Sequence, residues 1–256
     1  MIRAVIFDLG HTIWDITHGD PVLLSRAYDE FHRRLRERLP DQDLPRPEDI
    51  REAVRQALQA SLETYFQSNE RLDQPPAYSW VDEGCRALGL TLDETLLREL
   101  TPPLFQTEID NLVCADGTVE ALHGLARGGY RLGCITNTLS NGAGIRAMLR
   151  RYEIEDLMSS VVVSEDEGWR KPHRSLFEKA LRGLDVARQE AVFVGDSPFH
   201  DIGGAKAAGM YAVLTRQYAA RPYEGFEPAP DAIIRHLSEL QSVIEALDAK
   251  SGASAK

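Results

Sequence analysis

The stretch Val192-Phe193-Val194-Gly195-Asp196-Ser197-Pro198-Phe199-His200-Asp201-Ile202-Gly203-Gly204-Ala205-Lys206-Ala207-Ala208-Gly209-Met210 carries the reading of the fold. Its opening residues, with Ala191, form a short apolar run that closes on a glycine. Such a run suits a strand of a parallel sheet that is buried on both faces. Directly beyond it stand two acids, Asp196 and Asp201. In open α/β sheets ligands gather at the carboxyl ends of the strands, so these acids lie where chemistry is expected.

Working outward, the same kind of run recurs at residues 2–7, Tyr130–Thr136, Ser160–Val163 and Tyr211–Thr215. Helical stripes fill the later intervals. Val119, Leu122, Leu125 and Ala126 recur at helix spacing and stop at Gly128-Gly129, which predicts a C-cap. Phe177, Ala180, Leu181 and Leu184 make a second stripe. Strand and helix alternate from residue 117 onward, which predicts right-handed βαβ units. The predicted class is α/β, a Rossmann-like parallel sheet with helices on both faces. Residues 20–110 differ, with no β-rich run. Leu23, Leu24, Ala27, Phe31 and Leu35 form one helical stripe, and Ile50, Val54, Ala57, Leu58, Leu62 and Tyr65 another. Thr91 with Glu94 suggests a capping box ahead of Leu96, Leu97 and Leu100. Prolines at 40, 45, 75, 76, 102 and 103 punctuate these helices. A mostly helical module is therefore inserted after the first strand. The expected organisation is a core of residues 1–17 and 112–247, a helical insert of 18–111, and a small, polar, flexible tail of 248–256.

Bulk properties narrow the function. The chain has 256 residues with 29 Lys+Arg against 40 Asp+Glu, a formal net charge of −11. That balance argues against nucleic acid and against an anionic membrane surface, both of which draw on basic patches. It leaves a small anionic substrate open, because a few local cations outweigh a distant field. The only apolar run near the start, Ala4–Phe7, meets Asp8 at once and is too short for a membrane span or a signal-peptide core. Cys85, Cys114 and Cys134 are odd in number and widely spaced, so reduced, buried thiols and a cytoplasmic protein are expected. Oligomeric state is left open.

The residues that follow each strand are Asp8 after the first, Thr136 and Asn137 after the second, Arg170-Lys171-Pro172 beyond the third, and Asp196 and Asp201 after the fourth. Each has an ordinary reading alone: an Asp past a strand often caps a helix, and a Thr at a strand end often reflects β propensity. Together they form a set. Three carboxylates on one edge repel strongly unless a hard divalent cation joins them, and Mg²⁺ is the usual choice when a phosphate completes its shell. Thr136 and Lys171 suit the oxygens of a phosphoryl group. A carboxylate beside the phosphorus can attack it.

Four segments resemble the motifs of the haloacid dehalogenase superfamily: FDLGHTIWD from Phe7, ITNT from Ile135, RKPHRSLF from Arg170 and the stretch quoted above. They stand in family order, each after an expected strand. The resemblance implies a hydrolase with a cap inserted between the first and second motifs, the place of the helical insert. It implies Asp8 as nucleophile and metal ligand, Thr136 on the phosphoryl group with the backbone of Asn137 beside it, and Lys171 as the cation balancing nucleophile and phosphate. Asp196 and Asp201 are implied as metal-site acids, and the carbonyl of Gly10 as a further ligand. The expected function is a Mg²⁺-dependent phosphatase acting on a small phosphate ester through an aspartyl phosphate.

Gly10 departs from the family pattern. Most phosphatases of the family carry a second Asp there as general acid and base. Such assistance contributes typically ~10²–10⁴-fold, so its loss does not exclude a phosphatase but points to a slower one, to one with an activated leaving group, or to a substitute acid. His11 is the nearest substitute, with an unperturbed pKa of ~6.5. Against that stands the plainer reading that His11 fills the family's small loop position and points elsewhere, since adjacent residues often face apart. Three alternatives stay in view: a metal-free 2-haloacid dehalogenase, which would place Tyr at position 10 and lack the acid at 196; a phosphotransferase or mutase; and a catalytically weak binding module.

Overall fold

Residues 1–16, 21–61, 71–109, 112–218 and 226–254 are described by a computed structural model. The strands are β1 (Ala4–Phe7), β2 (Trp14–Ile16), β3 (Leu112–Cys114), β4 (Arg131–Thr136), β5 (Met158–Val163), β6 (Ala191–Gly195), β7 (Tyr211–Thr215) and β8 (Ala232–Ile234). Six form one parallel sheet in the order β5-β4-β1-β6-β7-β8, with β1 in the middle. The period of two along a strand sorts the core. Ala4, Ile6, Phe193 and Leu214 face one side of the sheet, while Val5, Phe7, Val192, Val194 and Val213 face the other.

The helices are α1 (Pro21–Arg38), α2 (Pro47–Ser61), α3 (Tyr78–Ala87), α4 (Glu94–Leu100), α5 (Pro102–Ile109), α6 (Thr118–Arg127), α7 (Gly142–Arg151), α8 (Ser164–Glu167), α9 (Arg174–Leu184), α10 (Gly204–Ala207) and α11 (Leu240–Ser254). On one face α9 packs Leu176, Phe177, Ala180 and Leu184 onto the sheet beside Ala205 of α10. On the other, α6, α7 and α11 supply Leu122, Leu125, Met148, Leu149, Ile244 and Leu247. This is the α/β class with helices on both faces that the sequence leads one to expect. Gly129, with φ 88°, closes α6 as anticipated.

Helices α1 to α5 gather around a separate apolar cluster that includes Phe31, Leu35, Ile50, Val54, Trp80, Val81, Leu97 and Leu100. Helices α2 and α3 approach so closely that a Cβ on Gly84 would lie 2.7 Å from the backbone nitrogen of Val54. Leu62 and Tyr65 of the expected second stripe lie outside the described residues, as do the junctions expected near 17/18 and 111. On the far side of those junctions the chain enters and leaves the helical module through the antiparallel pair β2–β3.

Three features differ from expectation. The pair β2–β3 and the edge strand β8 are three residues each, too short to leave a periodic signal. The cap of α4 is Asp93, whose side chain accepts the Leu96 N–H at 2.8 Å, not Thr91: the aspartate stands directly before the first helical residue. Helix α11 continues to Ser254, through most of the stretch read as a tail. Cys85, Cys114 and Cys134 are all free thiols, and burial pushes them up to about 12, 11 and 12. Among the described residues no helix is long and apolar enough to cross a membrane.

Candidate active site

The parallel register decides what meets at the sheet edge. Phe7 stands opposite Cys134 of β4 and Val194 of β6, so the chain beyond β1 emerges between the ends of these two strands. Asp8 is the next residue, its N–H donating to the Val194 carbonyl at 2.8 Å. Thr136, almost fully buried, ends β4 beside it. On the other side, β6 ends at Gly195 and Asp196 follows. The chain then makes a π-helical turn over Pro198–Gly203 that folds Asp201 back under the strand end. The Asp201 carboxylate accepts the Ser197 N–H at 2.9 Å. Gly195 is required here, since a Cβ would collide with the Asp201 carboxylate.

Lys171 joins these groups. Its Nζ donates to Asp8 Oδ1 at 2.6 Å and to Asp201 Oδ1 at 2.7 Å, with all three side chains buried. Asp8, Asp196 and Asp201 each offer a carboxylate oxygen within 4.8 Å of the others. Four of the expected site residues therefore form one buried cluster at the sheet edge. Asn137 meets the site in a way its sequence position did not suggest. Its side chain accepts the Lys171 N–H at 2.8 Å and donates to the Lys171 carbonyl at 3.3 Å, clamping the backbone that carries the ammonium. Thr12, absent from the expected set, donates to Asp8 Oδ2 across a long 3.4 Å. The only sequence signal for it was its place four residues past Asp8 in the same turn.

Gly10 lies in that turn and is bridged to Trp14. The positive φ falls not on Gly10 but on His11, at 57°. His11 donates its N–H to the Trp14 carbonyl and sets its Nδ1 3.0 Å from Asp15 Oδ1. Its hydrogen bonds thus run to the turn and to Asp15. Trp169 is half-exposed and stacks on His173, ring centres 4.0 Å apart, as a surface-packing tryptophan does.

Charge is the unresolved quantity in this pocket. Three carboxylates face one ammonium, leaving a formal excess of two negative charges in a buried site. Burial pushes Asp8 up to about 7, with Lys171 pulling it down and Asp201 and Asp196 pushing it further up. For Lys171 burial works against the ammonium, but Asp201 and Asp8 outweigh it and hold the group above its ordinary value. A carboxylate cluster relieves such repulsion by protonating or by taking a cation. Close-set hard oxygen donors with excess negative charge fit Mg²⁺, and Asp8, Asp196 and Asp201 are the residues that would hold it.

Residues 5–215 match the sequence profile of the family described as haloacid dehalogenase-like hydrolase. The chain belongs to this family. It is 31% identical over 213 residues to a glyceraldehyde 3-phosphate phosphatase of Pyrococcus abyssi, covering 83% of this chain and 81% of that protein. A protein of the same name from Pyrococcus furiosus is 30% identical, with 95% and 93% covered. Among solved structures, a 2-haloacid dehalogenase from Pseudomonas syringae pv. Tomato aligns over 96% of this chain and 100% of its own, with TM-score 0.65 and 27% identity. A HAD phosphatase from Thermococcus onnurineus aligns with TM-score 0.59 and 26% identity, covering 95% and 98%. The haloacid dehalogenase fold and a hydrolytic enzyme, read from four motifs, are what these comparisons return. Haloacid dehalogenase-like hydrolases thus include both phosphatase and dehalogenase among this chain's neighbours, and the donor set at the sheet edge must separate them.

Proposed function

We propose that this hydrolase is a Mg²⁺-dependent phosphatase of small phosphate esters, working through an aspartyl phosphate on Asp8. One observation carries the reading: three buried carboxylates within 4.8 Å of one another, two of them hydrogen-bonded to Lys171. A dehalogenase needs the nucleophile and the lysine, but it has no use for the acid at 196.

Asp8 supplies the attacking oxygen. The bond from Asp8 to phosphorus forms as the bond from phosphorus to the ester oxygen breaks, and the leaving alcohol takes up a proton. Water then attacks the aspartyl phosphate, releasing inorganic phosphate and restoring Asp8. Lys171 holds Asp8 Oδ1 in place and offsets the phosphate charge. Thr136 and the backbone of Asn137, at the neighbouring strand end, receive the non-bridging phosphoryl oxygens. Bound Mg²⁺ would neutralise the carboxylate excess and keep Asp8 ionised, with the Gly10 carbonyl as a further oxygen donor. With glycine at position 10, proton delivery to the leaving group falls to His11 or to water. We assign residues 1–17 and 112–247 as the catalytic core and 18–111 as the cap that closes over the substrate. Free thiols suit a reducing compartment such as the cytoplasm.

The name shared by the two Pyrococcus proteins makes glyceraldehyde 3-phosphate the first substrate to try. The test is a panel of glyceraldehyde 3-phosphate, an aryl phosphate and 2-chloropropionate, each with and without Mg²⁺. Phosphate release that requires Mg²⁺ is expected. The structural kinship with a dehalogenase keeps one competing outcome on the panel. Chloride release without Mg²⁺ would overturn the phosphatase reading.

A further inference from the structure

A cavity of about 360 Å³ opens at the seam between the helical module and the sheet. None of Asp8, Thr136, Lys171, Asp196 or Asp201 lines it. Its volume lies in the range of small-molecule sites. Leu139, Glu165 and Asp166 line it from the sheet side, and Tyr78, Arg98 and Thr101 from the helical module.

Two of these residues carry a buried polar atom with no hydrogen-bond partner: Glu165 Oε2 and Thr101 Oγ1. Thr101 is 3% exposed, so its hydroxyl cannot turn to bulk water. Leaving such an atom unmatched costs about 1–3 kcal/mol, more for a charged one. The neighbouring groups are already engaged. Glu165 Oε1 accepts the Ala77 N–H at 2.6 Å. Asp166 accepts the Gly142 N–H at 3.1 Å. The one cation of the lining, Arg98, donates to Glu94 at 2.8 Å and to the Tyr78 hydroxyl at 3.2 Å. The ionised Glu165 oxygen only accepts, so it lacks a donor, and with two carboxylates against one committed guanidinium the cavity favours a donor with positive charge.

We propose that this cavity binds a small ligand bearing a primary ammonium, which donates to Glu165 Oε2 while its carbon chain lies against Leu139 and Pro102. An anionic ligand would meet Glu165 and Asp166 with no cation to spare. A metal ion would find one uncommitted carboxylate oxygen, short of the six or more that hard cations take. Burial pushes Glu165 up to about 7, so a bound ammonium would also restore the ionised form that burial disfavours.

The test uses the whole protein, n-butylammonium chloride as probe, 1-butanol as its neutral counterpart and sodium chloride as the ionic-strength control. Binding is read by NMR chemical-shift titration and melting temperature. Saturable binding of butylammonium is expected, weaker by about tenfold or more for butanol, and weakened to a similar extent by Glu165→Gln, as fits loss of a charged hydrogen bond. Thr101→Val serves as the second variant should Glu165→Gln fold poorly, and it too should weaken the probe. The site is refuted if wild type shows no saturable response, if butanol binds as well as the amine, or if folded variants bind as wild type does. None of these readouts involves turnover, so the phosphatase reading stands or falls separately.

Discussion

Asp8 sits under two opposing demands. The proposed nucleophilic attack needs its anion, yet burial among like charges pushes the carboxyl from 3.8 to about 7. The sign of the linkage follows. In the metal-free protein this group favours folding below about pH 4 and loses that contribution as pH rises through about 7. Under the proposed Mg²⁺ site the metal competes with the same proton, so the rise in melting temperature on adding Mg²⁺ should be small near pH 5.5 and grow by pH 8. Calorimetry at the two values checks this, and Asp196→Ala should remove the rise at both. Asp8→Asn should abolish turnover while leaving a cooperative melt, and it should no longer bind beryllofluoride; surviving hydrolysis would mean direct attack by water. Position 10 offers the third test at this scale. Because the left-handed residue is His11 and not Gly10, an aspartate at 10 faces no positive-φ strain. Gly10→Asp should then speed alkyl phosphates by up to ~10²–10⁴-fold and aryl phosphates much less. A flat response, with no effect of His11→Ala, would mean that proton transfer does not limit the rate.

What the sequence discloses and what it hides divide by distance along the chain. Asp8, Lys171, Asp196 and Asp201 were legible because each directly follows a strand or lies in a motif, and strand ends converge by rule. The side-chain clamp of Asn137 on Lys171 was not legible, since it joins residues 34 apart through geometry that no local pattern encodes. Nor was the seam at which Gln74 N–H meets the Gly168 carbonyl and Arg170 N–H meets the Leu72 carbonyl. These bonds tie the helical module to the loop that carries Lys171. Removing the clamp with Asn137→Ala should cost about 1–3 kcal/mol through unmatched backbone groups. On the proposed mechanism, in which Lys171 acts on the phosphoryl group, it should also lower kcat more than it raises KM. Gly84→Ala tests a different contact, the close approach of α2 and α3. A methyl 2.7 Å from Val54 N must push the helices apart, at about 1–3 kcal/mol, with turnover affected less than melting temperature.

The place of β1 bears on how the chain comes into being. The middle strand of the sheet is the first one in sequence, and its two neighbours are β4 and β6. Phe7 finds its partner on one side at Cys134 and on the other only at Val194. At ~5–20 residues per second, a ribosome delivers Val194 on the order of ten to forty seconds after Phe7. Through that interval the apolar segment Ala-Val-Ile-Phe has no permanent home. Helices α1 to α5, contiguous in sequence and with a core of their own, finish well before it is sheltered. The nascent protein thus carries a completed set of cluster-forming helices beside a sticky strand that β4 can cover on one edge only until β6 arrives. Chaperone demand during synthesis should therefore follow the length of that wait rather than the stability of the finished sheet.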